Sequence, residues 1–306
     1  MSLSPRRRLP PGLLVESWSA PDGWPLRTFR HDAEDPAAGS LLFLGGRGDF
    51  FEKYLEAIAD WRAAGWNVAG FDWRGQGGSG RLHPGGACHV GDFALLLDDL
   101  AAFCRAWRAA TPGPHVAVGH SLGGHLLLKA VALGLVELDG MILLAPMLGI
   151  RAGPLGNRAL GGLATLGRLP GLRGRAIWSG QRSPAPGRVT SCPERQADKA
   201  WWKAARPELG RGGPTWGWLA AAMRSIAELE RLLRTRPALP PGLLLAAAGD
   251  PIVDSAAIRR VRRFLPDVEH AEIAGAGHEL LRERDGPRTA CLAHIRRFLA
   301  SAAARS

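Results

Sequence analysis

Short apolar runs bounded by Gly, Pro or Asp recur near 13–18, 26–31, 40–44, 67–72, 115–119, 140–146, 242–249 and 268–273. They are branched or leucine-rich and too short for a helix, so they predict eight strands. Between several of them, apolar residues fall three and four apart, over 50–64, 92–110, 122–133, 255–264 and 287–300. That spacing places one apolar face on a helix, with Asp92 and Ser255 available as caps of the second and fourth. Strand followed by helix, repeated, predicts a mostly parallel sheet with helices on both faces, the α/β class. The first two runs, joined through Pro21-Asp22-Gly23, predict an antiparallel hairpin instead.

The alternation breaks between 148 and 240, where Gly, Pro, Arg and Trp dominate and no apolar period holds until 216–235. The expected organisation is a core formed by 1–147 and 241–306, with 148–240 inserted as a cap or lid. Between two strands of a parallel sheet, such an insertion would lie over the crevice at their carboxyl ends, where open α/β folds bind ligands.

Composition changes this picture in one place. The chain has 306 residues and a formal net charge of +11, with 46% hydrophobic and 22% charged residues. These proportions are those of a globular protein, and exclude a disordered or collagen-like chain. Residues 151–240 hold 16 basic side chains against 5 acidic ones, so the whole surplus lies in the insertion. No nucleic-acid motif accompanies it, and a nucleic-acid partner is not expected. A phosphate-bearing small molecule or an anionic membrane surface fits the charge.

The four cysteines, Cys88, Cys104, Cys192 and Cys291, show no metal or disulfide spacing, which points to a reducing, cytoplasmic setting without a metal. Arg6, Arg7 and Arg8 precede only a brief apolar run at Leu13–Val15, too short for a signal peptide, and no stretch is long enough to span a bilayer. A peripheral membrane association remains compatible with the charge. Neither oligomeric state nor any organic cofactor is indicated.

The strongest local signal is Gly119-His120-Ser121-Leu122-Gly123-Gly124, placed directly after a strand run and directly before a helical one. A serine in Gly-x-Ser-x-Gly between strand and helix sits on a tight, strained turn that lifts its hydroxyl above the sheet edge, and the flanking glycines remove side chains that would clash. The N–H of Leu122, at the helix start, is a candidate oxyanion donor.

A serine hydroxyl needs a base, and the base needs a carboxylate to orient it. His278, in Gly275-Ala276-Gly277-His278 after the last strand run, and Asp250, at the end of the seventh, stand in the order this turn demands. Asp254 is the alternative acid or a helix-initiating residue. His125, four residues beyond Ser121, is carried away from the hydroxyl by its helix. His120 is expected beneath the nucleophile or bonded to nearby backbone.

The loop Leu44-Gly45-Gly46-Arg47-Gly48 offers the Arg47 N–H as second oxyanion donor. Asp72-Trp73-Arg74-Gly75-Gln76-Gly77-Gly78-Ser79-Gly80 is glycine-rich but has neither the ending of a phosphate-binding P-loop nor dinucleotide spacing, and reads as a structural turn beside the site.

With these pieces in order, the chain resembles the α/β-hydrolase superfamily, and within it the bacterial lysophospholipase and monoglyceride lipase-like group. The likeness rests on Gly45–Gly48, Asp72–Gly77, Gly119–Gly123, Asp250 and Gly277-His278-Glu279. It implies a Ser121–His278–Asp250 triad acting through an acyl-enzyme on an ester, and a lid over the acyl pocket. Two departures stand out: the loop begins Gly45-Gly46 where the group often has His-Gly, and the insertion is unusually basic. The expected function is hydrolysis of a carboxylic ester, a lysophospholipid or monoacylglycerol. The rivals are a peptidase or thioesterase with the same triad, and a non-catalytic protein binding lipid surfaces or nucleic acid through its basic segment.

Overall fold

The computed structural model describes residues 4–34, 38–151, 156–178 and 189–305, so parts of the 148–240 segment lie outside the described residues. All eight expected strands form: β1 (Leu14–Ser19), β2 (Pro25–His31), β3 (Gly39–Leu44), β4 (Trp66–Phe71), β5 (His115–His120), β6 (Gly140–Leu144), β7 (Gly242–Ala247) and β8 (Val268–Ile273). They make one sheet in the order β1-β2-β4-β3-β5-β6-β7-β8. The β1–β2 hairpin and the β2–β4 pair are antiparallel, and every later pair is parallel.

Alternation along the buried strands sends successive side chains to opposite faces. Leu42, Leu44, Leu143 and Leu244 face one way, toward α2 (Ala94–Ala110), α3 (Leu122–Ala132) and α8 (Ser255–Arg262). Leu41, Phe43, Ile142 and Leu243 face the other, toward α1 (Leu55–Ala63) and α9 (Asp285–Ala303). Leu41–Leu44 are almost wholly buried, and each such side chain contributes about 1.5–3 kcal/mol relative to exposure. Because both faces are covered, these runs read as continuous apolar stretches.

Two local expectations need correction. The first helical region does not begin as a single α-helix: a 3₁₀ turn, Phe51–Tyr54, precedes α1 and buries Glu52, Lys53 and Tyr54 as well as Phe51. The cap of α8 is Asp254, whose side chain accepts from the Ala256 N–H, and not Ser255. Asp92 does accept from the Ala94 N–H at 3.0 Å, at the start of α2.

Between β6 and β7 the chain carries α4 (Gly156–Ala164), α5 (Pro170–Arg173), α6 (Pro193–Ala205) and α7 (Trp216–Leu233). Apolar residues of α7, including Trp218, Ala222, Ile226 and Leu229, join the core on the α3 side. A buried polar contact adds to this packing: His125 Nε2 lies 2.8 Å from Ser225 Oγ, and Lys129 donates to Ser225 and Glu228. Burial, with Lys129 adding to it, pushes His125 down to about 3, so its role is structural.

Two arginines of this segment turn inward. The Arg211 guanidinium donates to the carbonyls of Gly75, Gly77, Gly80, Glu208 and Gly210, tying the chain before α7 to the glycine-rich loop after β4. At the other edge, Arg195 of α6 pairs with Glu56 at 2.7 Å and Asp285 at 2.9 Å, and donates to the Glu283 carbonyl. Asp198 takes Arg6 and Arg7, at 2.5 and 2.6 Å.

Candidate active site

The elbow between β5 and α3 has the expected conformation. Ser121 has φ 53° and ψ −111°, a backbone that non-glycine residues rarely adopt. Its neighbours hold it there: Ser121 N–H donates to the Leu144 carbonyl at 2.9 Å, and its own carbonyl accepts from His125 and Met147 N–H at 3.0 Å. Glycine is required on both sides. A Cβ on Gly119 would sit 2.7 Å from the Gly123 backbone, and one on Gly123 would overlap the Leu44 carbonyl and lie 2.7 Å from that of Gly45.

The structure brings Ser121, His278 and Asp250 into one hydrogen-bonded line. His278 Nε2 is 2.9 Å from Ser121 Oγ, and its Nδ1 is 2.7 Å from Asp250 Oδ2. All three are nearly buried. Asp250 lies just beyond β7, where its Oδ1 accepts from the N–H groups of Ile252 and Val253 at 2.7 and 2.9 Å. Burial alone would raise its pKa, yet His278 and these two N–H groups hold it below the usual carboxylate value. Asp254, the alternative acid, is at the cap of α8.

The segment carrying His278 is fixed from below. Gly277 N–H donates to Glu283 Oε1 at 2.8 Å, and Glu283 also accepts from Ser191 N–H and Oγ. Glu279 N–H donates to the Val189 carbonyl at 2.8 Å, so residues returning from the segment after β6 border this loop.

The loop after β3 approaches the same point: a Cβ on Gly46 would lie 3.2 Å from Ser121 Cβ. The N–H groups on either side of Arg47 are occupied, Gly46 by Asp49 Oδ2 at 2.8 Å and Gly48 by Gln76 Oε1. Trp73 Nε1 donates to the Gly45 carbonyl at 2.8 Å, bracing a loop whose first position is Gly45. The Arg47 guanidinium lies over the rings of Trp218 and Trp178, 5.5 and 5.9 Å from their centroids. Among the described residues no carboxylate pairs with it.

His120 bonds nearby backbone, as expected from its place in the elbow. Its Nε2 is 3.2 Å from the His278 carbonyl, and its Nδ1 faces the Tyr54 hydroxyl at 3.1 Å. The Asp72–Gly80 stretch is a buried turn in which Asp72 accepts from Phe51 and Gly78 N–H. Sequence reasoning named Glu279 only as part of the motif around His278 and did not single out Asp49, Lys53 or Tyr54, all buried beside these loops.

Comparison with known proteins gives consistent relatives. The Hydrolase_4 family, described as serine aminopeptidase S33, matches residues 35–285. Lysophospholipase L2 of Escherichia coli strain K12 is 31% identical over 270 residues, 82% of this chain and 77% of that protein. A probable lysophospholipase L2 of Haemophilus influenzae is 25% identical over 281 residues, 89% and 87% of the two chains. In three dimensions the chain superposes on a soluble variant of monoglyceride lipase from Saccharomyces cerevisiae with a TM-score of 0.78, covering 98% of this chain and 99% of that one at 20% identity. The monoacylglycerol lipase of Paleococcus ferrophilus gives 0.72, over 90% and 99%, also at 20% identity.

Proposed function

The chain belongs to the serine aminopeptidase S33 hydrolase family and is a carboxylic ester hydrolase of the α/β-hydrolase fold, and from that premise we propose that it deacylates lysophospholipids through Ser121, His278 and Asp250. The observation that carries the proposal is the unbroken line from Ser121 Oγ through His278 to Asp250, at 2.9 and 2.7 Å. In this reading Ser121 Oγ attacks the ester carbonyl carbon while His278 Nε2 takes its proton. The carbonyl oxygen becomes an oxyanion between the Leu122 and Arg47 N–H groups, each donor worth about 10²–10³ in kcat. The C–O bond then breaks, and His278 returns the proton to the departing glycerophospho-alcohol. Water, deprotonated by His278, attacks the acyl-enzyme and releases the fatty acid. Asp250 holds the tautomer that leaves Nε2 free to accept.

A lysophospholipid is favoured over a neutral monoacylglycerol by the Arg47 cation on the loop that approaches Ser121 and by the kinship with lysophospholipase L2. Arg47 follows Gly46, which packs against Ser121, and its guanidinium has no carboxylate partner among the described residues. Residues 148–240 act as the cap. Exposed Leu163, Leu169 and Trp178, with exposed Arg173 and Arg175, give that cap the apolar and basic surface with which it would meet an anionic lipid.

The deciding experiment pairs fluorophosphonate labelling with a substrate panel. Wild type should label at Ser121 and Ser121→Ala should not, and kcat/KM should be higher for a lysophospholipid than for the monoacylglycerol of the same chain. Failure to label removes the triad reading, and a preference for the neutral lipid removes the headgroup assignment.

A further inference from the structure

The chemistry just proposed leaves unused a group of buried polar and charged side chains under the loop after β3. Asp49, Lys53, Tyr54, His120, Glu279 and Arg282 are all buried, and they come from three separate parts of the chain. Charges removed from water are costly unless each is paired, and here each one is. Asp49 Oδ2 accepts from Gly46 N–H at 2.8 Å and from the Tyr54 hydroxyl at 2.7 Å, while Oδ1 takes Lys53. Lys53 also donates to Glu279 Oε1 at 2.8 Å, and the second oxygen of Glu279 is held by Arg282. His120 Nδ1 lies 3.5 Å from Asp49 Oδ2. Because a carbonyl only accepts, His120 Nε2 must carry a proton to bond the His278 carbonyl.

Burial would push Asp49 and Glu279 up, but Lys53 and His120 hold the first, and Arg282, Lys53 and Lys199 the second, well below the usual carboxylate range. Both are therefore anions. From α6, Lys199 stands 3.9 Å from Glu279 Oε1.

A stable core did not require this arrangement, since well-packed apolar side chains commonly do as well as a buried ionic cluster. What it provides is a connection. One end holds Gly46, next to the proposed oxyanion donor Arg47, and the other holds the carbonyl of His278 and the residue after it. We infer that Asp49 is a positioning residue that fixes the oxyanion loop and the His278 segment relative to each other, acting through Tyr54–His120 and through Lys53–Glu279. The inference rests on the reading of Ser121 and His278 given above. A misplacement of about 1 Å between such groups costs on the order of 10²-fold in rate.

The test uses the full chain and a soluble short-chain ester. Asp49→Asn keeps the side-chain shape and an acceptor for Gly46 but removes the charge, and kcat should fall about 10–100-fold with KM within about threefold. Tyr54→Phe deletes one hydroxyl from a site otherwise intact and should lower kcat a few-fold, so the inference remains testable if Asp49→Asn does not fold.

The acid limb of kcat/KM against pH gives a second readout, since it reports the general base of the free enzyme. The charged and titratable groups around His278 are Asp250 beyond β7, His120 at the elbow, Asp49 and Lys53 after β3, Glu279 and Arg282 beyond His278, and Lys199 on α6. Without the Asp49 charge the imidazolium is less favoured, so the limb should move to lower pH in Asp49→Asn. It should move to higher pH in Lys53→Met. Opposite shifts support the network, whereas folded variants with wild-type kcat, or loss of activity with an unmoved limb, overturn it. Fluorophosphonate labelling separates the two readings. Unlabelled wild type removes the Ser121 assignment, and labelled wild type with variants that label at the same rate removes only the role of Asp49.

Discussion

Replacing Asp250 by asparagine isolates orientation of His278 from everything else the carboxylate does. Asp250 Oδ1 accepts from two backbone N–H groups, at 2.7 and 2.9 Å, and Oδ2 faces His278 Nδ1 at 2.7 Å. An amide has one acceptor and one donor end. If its oxygen stays on the Ile252 and Val253 side, the NH₂ points at His278 Nδ1. If it flips, the NH₂ confronts two N–H donors, and leaving buried donors unpaired costs about 1–3 kcal/mol each. The first orientation wins, and His278 answers by carrying its proton on Nε2, facing Ser121, where it can no longer accept one. The expected loss is about 10³–10⁴ in kcat, or about 4–5.5 kcal/mol of transition-state stabilisation at 1.36 kcal/mol per decade. The assay is steady-state hydrolysis of a soluble ester beside Asp254→Ala. That variant removes a helix cap worth about 0.5–2 kcal/mol of stability and should keep kcat within about twofold. Asp250→Asn within tenfold of wild type, or Asp254→Ala equally impaired, would refute the argument.

Two further outcomes follow from the packing. Gly123→Ala forces a methyl group against the Leu44 and Gly45 carbonyls. Overpacking of this kind costs about 1–3 kcal/mol, and the loop carrying Arg47 should be pushed off the nucleophile. Differential scanning calorimetry should show Tm lowered by about 2–4 °C per kcal/mol, with kcat reduced more than KM is changed. His125, held at about 3 by burial, is neutral in the folded protein, whereas an unfolded histidine takes up a proton below about 6.5. The unfolded state therefore binds more protons between those values, so the contribution of His125 to stability is complete above about 6.5 and is lost as pH falls toward 3. Thermal unfolding across that range should show a shallower acid-side slope in His125→Gln than in wild type. An unchanged slope would contradict the burial argument.

How much could be read in advance follows from where the information sits. Strands such as 40–44 and 242–247 announce themselves because both faces are covered, and the elbow because Gly119, Ser121 and Gly123 must be close neighbours in sequence to make the turn. Asp250 and His278 were legible for the same reason, each lying shortly beyond a strand end. The Asp49–Lys53–Glu279 connection was not, since its members are joined only after the sheet forms and 226 positions separate Lys53 from Glu279. Periodicity described 50–64 as an ordinary amphipathic helix, and nothing local marks Glu52, Lys53 and Tyr54 as inward-facing. The charge surplus was visible as a count, but a count does not distinguish an arginine aimed at solvent from one such as Arg211 aimed at five carbonyls.

Those five acceptors set Arg211 apart from Arg195 in one practical respect. Carbonyl dipoles neither titrate nor gather counterions, so the edge of the 189–215 stretch fastened by Arg211 is indifferent to acidity and ionic strength. The edge fastened by Arg195 and Asp198 shares its backbone contacts with carboxylates, one of them the largely exposed Asp285, and these ion pairs respond to both. The same stretch of chain is thus fastened on one side by groups deaf to their surroundings and on the other partly by groups that answer to them.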